Sequence, residues 1–158
     1  MKKSYLAICA GVLLLLLVFT GCNKAGSGSS ALAASKEDAW GVSLSAAKIT
    51  PKGLTIVCTQ KNGSPKGELQ TGQPYWLEKK ENGQWVKVKT LVEDGQWTME
   101  AWGITKNKSV EWEVNWEDLY GALPRGEYRI GKTIVDFQSP EACSENPYYA
   151  DFEIRKVR

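Results

Sequence analysis

The sequence predicts an all-β fold in which two antiparallel sheets pack face to face as a sandwich of seven to eight strands. Three observations carry that prediction. Val110, Trp112, Val114 and Trp116 alternate with Glu111, Glu113 and Asn115, the period-two pattern of a strand with one face in a core. Asn82-Gly83 separates two alternating runs and is the strongest short hairpin signal. Seven Trp, six Tyr and three Phe stand beside six Pro and many short Gly-punctuated segments, while no long 3.6-period stretch competes.

In chain order, Trp40 to Ile49 alternates as a first strand, and Thr50-Pro51-Lys52-Gly53 is a turn in which Pro51 sets φ. Leu54, Ile56 and Cys58 then face inward on a second strand. Gln60 to Thr71 is polar and Gly-rich, contains Pro65 and reads as an exposed loop. Tyr75 to Lys80 and Trp85 to Lys89 form the hairpin. A two-residue turn pairs Glu81 with Gln84, Lys80 with Trp85, Glu78 with Lys87 and Leu77 with Val88. That register puts Tyr75, Leu77, Val86 and Val88 on one face and Trp76, Glu78, Lys80, Trp85, Lys87 and Lys89 on the other.

Trp97 to Ile104 reads as another strand, with a bulge near Gly103 to reconcile its mixed parity. Asp118 to Gly121 is a corner, after which Leu123 to Ile130 and Lys132 to Phe137 are strand, Ser139 to Pro147 is loop, and Tyr149 to Val157 closes the sheet with Ala150, Phe152 and Ile154 inward. No helix longer than a turn is expected.

The N-terminus has a different character. Met1-Lys2-Lys3 precedes an apolar run of fifteen residues, Tyr5 to Phe19, which is short for a spanning helix of about 20 and reads as an export signal. Phe19-Thr20-Gly21-Cys22 resembles the lipobox of bacterial lipoproteins, with Phe19 where Leu is commoner. The resemblance implies that residues 1–21 are removed and that Cys22 carries a diacylglyceryl anchor, so the membrane is the first partner. Residues 22–38 are rich in Gly, Ser and Ala and form a tether; about 13 such residues have an r.m.s. span of about 20 Å. Residues 39–158 are then the folded domain.

Composition narrows the chemistry. The 20 basic residues become 18 once Lys2 and Lys3 leave with the leader, against 18 acidic ones, so nothing electrostatic points to nucleic acid. The chain has no His, which excludes Ser-His-Asp, Cys-His and His-zinc chemistry. No cofactor and no metal site are expected.

From Val42 to Ile154 the chain resembles a family of bacterial immunoglobulin-like domains found in surface lipoproteins of Gram-positive bacteria. The residues that carry the resemblance are Thr50-Pro51-Lys52-Gly53-Leu54-Thr55, Tyr75-Trp76-Leu77-Glu78 with Asn82-Gly83-Gln84-Trp85, and Trp116. Tyr120-Gly121-Ala122-Leu123-Pro124, Gly126-Glu127-Tyr128-Arg129-Ile130 and Tyr149-Ala150-Asp151-Phe152-Glu153-Ile154 complete it. The resemblance implies an immunoglobulin-like sandwich and an extracytoplasmic address, and it transfers no catalytic residue. A Tyr entering its strand from a corner is a feature of such sandwiches, so Tyr128 is expected in the core with its hydroxyl bonded to backbone near Leu123.

Several groups carry chemistry and each has a plainer reading. Glu111 and Glu113 lie about 6 to 7 Å apart on one strand face, a spacing that glycosidase carboxylates use; a solvated strand face explains them as well. Asp136, Glu141, Glu145 and Asp151 flank the last loop without matching a calcium loop. Arg155, Lys156 and Arg158 suggest anionic lipid, but immunoglobulin-like chains begin and end at opposite ends, which points this tail away from the bilayer. Cys58 and Cys143 remain after Cys9 and Cys22 are assigned; they are either a bridge or two separate thiols, one a small buried hydrophobe.

Trp76 and Trp85 share the outer hairpin face about 13 Å apart along the strands, where they either receive a ligand or cover their own neighbours. The leading functional expectation is a non-catalytic, lipid-anchored binding or spacer module at the cell surface, with an envelope protein or glycan as partner. The alternative is an envelope glycan hydrolase or hydrolase inhibitor.

Overall fold

Nine strands and one four-residue helix follow one another through residues 39–92 and 97–155, the part of the chain that the computed structural model describes. The leader, Cys22, the tether to residue 38, Lys156 and Arg158 lie outside the described residues. The strands are β1 (Val42–Thr50), β2 (Gly53–Gln60), β3 (Glu68–Gly72), β4 (Trp76–Glu81), β5 (Gln84–Lys87), β6 (Ala101–Gly103), β7 (Ser109–Asn115), β8 (Gly126–Ser139) and β9 (Ala142–Ile154), with α1 (Glu117–Tyr120) between β7 and β8.

Two stretches expected as loops are strands: one adds β3 and the other lengthens the closing strand. Within the supposed loop from Gln60 to Thr71, β3 buries Leu69 and Thr71, a short alternation hidden among polar neighbours. The supposed loop from Ser139 to Pro147 is mostly β9, paired with β8 from its first residue. Ala142 to Pro147 is exposed on both faces, so no alternation marks it, and Pro147 is tolerated beside β8 on an outer strand. The strand expected over Trp97 to Ile104 shrinks to β6. There Trp102 stacks on Trp112, with ring centroids 6.0 Å apart, and Ile104 is buried after the strand has ended.

All pairings are antiparallel. The smaller sheet runs β1-β2-β7 and the larger runs β5-β4-β8-β3-β6, with β9 also paired to β8. The 14 residues of β8 organise the larger sheet. One edge meets β9 throughout, while the other meets β4 through residues 128–131 and then β3 through residues 134–137. Leu54, Ile56 and Cys58 from the smaller sheet face Leu77, Ile130, Ile134, Ala150, Phe152 and Ile154 from the larger one, all buried.

Trp116 is fully buried, donates from Nε1 to the Pro51 carbonyl at 2.9 Å and packs against Phe152. The Tyr corner is present. Tyr128 stacks on Phe152 and donates its hydroxyl to the carbonyl of Pro124 at 2.9 Å, one residue beyond Leu123. The hairpin register matches the turn argument, with Asn82 (φ 51°) and Gly83 (φ 82°) both in the left-handed region that such a turn requires. Val86, however, is 44% exposed, because β5 lies at the rim of the core.

A Cys58–Cys143 bridge does not form. Cys58 points into the core from β2, which burial explains, and its thiol is pushed up to about 12; Cys143 stays exposed opposite Phe137, near the turn of the β8–β9 ribbon in the other sheet.

Two charged residues lie on the inner row of β8 with Tyr128, Ile130 and Ile134. Lys132, 1% exposed, donates from Nζ to the Gly72 carbonyl at 2.6 Å and more loosely to those of Gln73 and Pro74, and it lies 5.2 and 5.4 Å from the rings of Trp102 and Trp112. Burial lowers its pKa to about 8, while the nearby Cys58 acts in the opposite sense. Asp136 accepts the backbone N–H groups of Lys66 and Gly67 at 2.8 and 2.6 Å, closing the β2–β3 connection against the sheet.

Candidate binding face

The outer face of the larger sheet, where the hairpin leans on β8 and β9, carries three cross-strand rows fixed by register. The first is Trp76, Gly131 and Tyr149. The second is Lys87, Glu78, Arg129 and Asp151. The third places Trp85 opposite Lys80 on the hairpin and Glu127 opposite Glu153 on β8 and β9.

Gly131 sets the geometry of the first row. A β-carbon built there would collide with Cε2, Cζ2 and Nε1 of Trp76, so the indole occupies the space that a side chain would fill. The nearest of these atoms is the ring-fusion carbon, so the indole lies over the Gly131 backbone. Tyr149 meets the indole at 85° with centroids 5.7 Å apart, and Trp76 Nε1 donates to Glu78 Oε1 at 3.2 Å. Contacts on two sides therefore hold the ring in one orientation.

In the second row, Glu78 is nearly buried, and its Oε2 accepts from both Nε and an NH2 of Arg129 at 2.5 Å. The guanidinium lies between two rings, with its carbon 4.8 Å from the centroid of Trp85 and 4.0 Å from that of Tyr149. Glu78 thus pairs with Arg129, not with the cross-strand Lys87 that the hairpin alone suggested. A planar guanidinium stacks on rings and forks to a carboxylate in a way that an ammonium cannot, which explains the preference.

In the third row, Lys80 pairs with Glu127 at 2.8 Å and also approaches the Trp85 ring at 5.7 Å. That bond to Glu127 raises the Lys80 pKa. Asp151 has its pKa raised by partial burial, against the opposing pull of Arg129 and Lys80.

The face therefore contains both expected Trp residues, each half-buried rather than standing free. Sequence reasoning missed Gly131, Arg129 and Tyr149. The Gly131 signal was visible only as a Gly inside a strand pattern, which marks a close approach without naming the approaching group.

Other candidate groups do not converge. Glu111 and Glu113 are exposed on β7, opposite Val57 and Thr55. Asp136 is committed to the β2–β3 connection, and Glu141, Glu145 and Asp151 are spread along the β8–β9 ribbon. Among the described residues no three His, Cys, Asp or Glu side chains gather to hold a metal. Arg155 pairs with Glu153 at 2.8 Å. A groove of about 610 Å³ between the β2–β3 and β6–β7 connections offers Glu68 and Lys106 but no aromatic ring.

A family model described as a bacterial Ig-like domain matches residues 38–153. No curated protein and no solved structure matches the chain.

Proposed function

Because the chain belongs to the bacterial Ig-like domain family, we propose that it is a non-catalytic binding module, held at the extracytoplasmic face of a Gram-positive membrane by lipid on Cys22. The observation that carries the binding role is the oriented aromatic face of Trp76, Trp85, Tyr149 and Arg129 on a sheet with no catalytic constellation among the described residues. The anchor rests on the leader and on Phe19-Thr20-Gly21-Cys22.

Topology supports the reading. Near the entry of the described chain, Gly41 accepts from Lys61 and Val42 faces Gln60; the last strand ends with Ile154 beside Gly126, next to the corner that holds Leu123 on Pro51. Since β1 runs from the first of these places to the second, the chain enters and leaves at opposite ends. Trp85, Lys80 and Glu127 lie toward the exit. That part of the face therefore lies at the end of the domain opposite to the entry of the chain.

The test has two arms. Mass spectrometry of the full-length protein made in a Gram-positive host should find a diacylglyceryl-Cys22 N-terminus, and an unmodified Cys22 inside an intact leader would contradict the anchor. Incubation with cell-wall glycan should release no reducing ends. Steady turnover lost on Glu111→Gln or Glu113→Gln would favour the hydrolase alternative.

A further inference from the structure

Resting on the reading of this face as the binding surface, we propose that its ligand is an uncharged glycan chain lying across β4, β8 and β9, with Trp76 as the stacking platform and Arg129 as the oriented donor. The chemistry follows from three features of the face.

The first is the Trp76 indole, held over Gly131 and half-buried, with part of its surface in solvent. Pyranose rings present axial C–H groups of slightly positive character, which complement the negative face of an aromatic ring. A ring held over Gly131 and braced by Tyr149 and Glu78 needs no reordering to receive one.

The second is the neighbouring hydrogen-bonding edge. Arg129 uses Nε and one NH2 on Glu78, and its side chain stays 23% exposed, so the guanidinium is held in place with donor capacity toward solvent. Lys80 and Asp151, also exposed, flank it with a donor and an acceptor. A few polar groups around an aromatic platform are what orients a hydroxyl-rich ligand.

The third is charge balance. Lys80, Lys87, Lys89, Arg129 and Arg155 stand against Glu78, Glu127, Glu145, Asp151 and Glu153 on the same outer parity, so the face carries no net field for a polyanion or a polycation. The surface is also a sheet face and not a cleft, which suits an extended chain crossing the strands.

The experiment uses full-length protein in detergent, run through native gels that contain a soluble neutral glycan, β-1,4-linked N-acetylglucosamine oligomer, or a polyanion such as heparin. The neutral oligomer should retard migration saturably and heparin should not. Trp76→Ala should weaken the neutral interaction at least tenfold and Trp76→Tyr should weaken it less, while Trp97→Ala, whose ring packs edge-on against Tyr75, should leave it unchanged. Thermal unfolding of each variant separates loss of the face from loss of the fold, and Arg129→Lys supplies a second variant, with an expected loss of several-fold.

Retardation by the oligomer that survives Trp76→Ala and Arg129→Lys in folded protein would overturn the proposal. So would no retardation by the neutral oligomer alongside Trp76-dependent binding to protein-bearing envelope fractions, an outcome that would assign the face to a protein partner and leave the binding reading intact. Envelope binding indifferent to Trp76 and Trp85 would sink both.

Discussion

Lys132 shows how far a single residue departs from its pattern. On the inner row of β8 its ammonium meets three carbonyls and two indole faces, with Cys58 nearby, so both groups are displaced from their usual titration. The Lys132 pKa falls from 10.5 to about 8, which means the unfolded chain binds the extra proton and stability climbs as pH rises above 8. The Cys58 pKa rises from 9.0 to about 12, so the folded chain keeps that proton and stability is drawn down above pH 9. The unfolding free energy from denaturant titrations should therefore rise by about 1 kcal/mol between pH 8 and 9 and then level. In Cys58→Ala the rise should continue to near pH 10. There the Tyr75 hydroxyl, raised from 10.0 to about 12 by burial and by Tyr120, turns the curve over. A wild-type midpoint that stays flat from pH 8 to 9 would refute this coupling.

Tyr128 is the opposite case, a residue whose place was legible. Its corner position predicted both the buried ring and the hydroxyl bond, and Tyr128→Phe should lose about 1 kcal/mol by chemical denaturation. Lys132 was not legible because alternation alone cannot distinguish an inner Lys from an outer one when its acceptors lie 58 to 60 residues away in sequence.

At the scale of elements, local chemistry was readable and long-range pairing was not. Asn82-Gly83 specified every pair of the β4–β5 hairpin, because a two-residue turn leaves no freedom of register. The β3 strand escaped notice because its stability comes from outside it. Asp136, far along the chain, ties down Lys66 and Gly67 just before β3 begins. Asp136→Ala would strand two N–H groups and should cost about 3 kcal/mol, whereas Asp136→Asn, which keeps one acceptor, should cost about half as much. Equal midpoints for wild type and Asp136→Ala would show that the β2–β3 connection is held by other contacts.

For the molecule as a whole, aromatic alternation, turn chemistry and the lack of helical periodicity were enough to predict a sandwich. The proposed binding face was only half visible. Trp76 and Trp85 followed from the hairpin register, while Gly131, Arg129 and Tyr149 join them only once β8 pairs with β4 on one edge and β9 on the other. That branching is a tertiary fact with no local signature. It also makes Gly131 a point of control: Gly131→Ala should displace the Trp76 ring and weaken binding through this face at least as much as Trp76→Tyr does.

If this face is where the module meets the envelope, its aromatic rings should carry the binding. The most direct measurement is the binding of full-length wild type and of a folded Trp76→Ala, Trp85→Ala protein to the same Gram-positive envelope fractions. The expected result is saturable binding by the wild type and at least a tenfold loss of affinity in the double variant. Full binding by a normally folded double variant would contradict it.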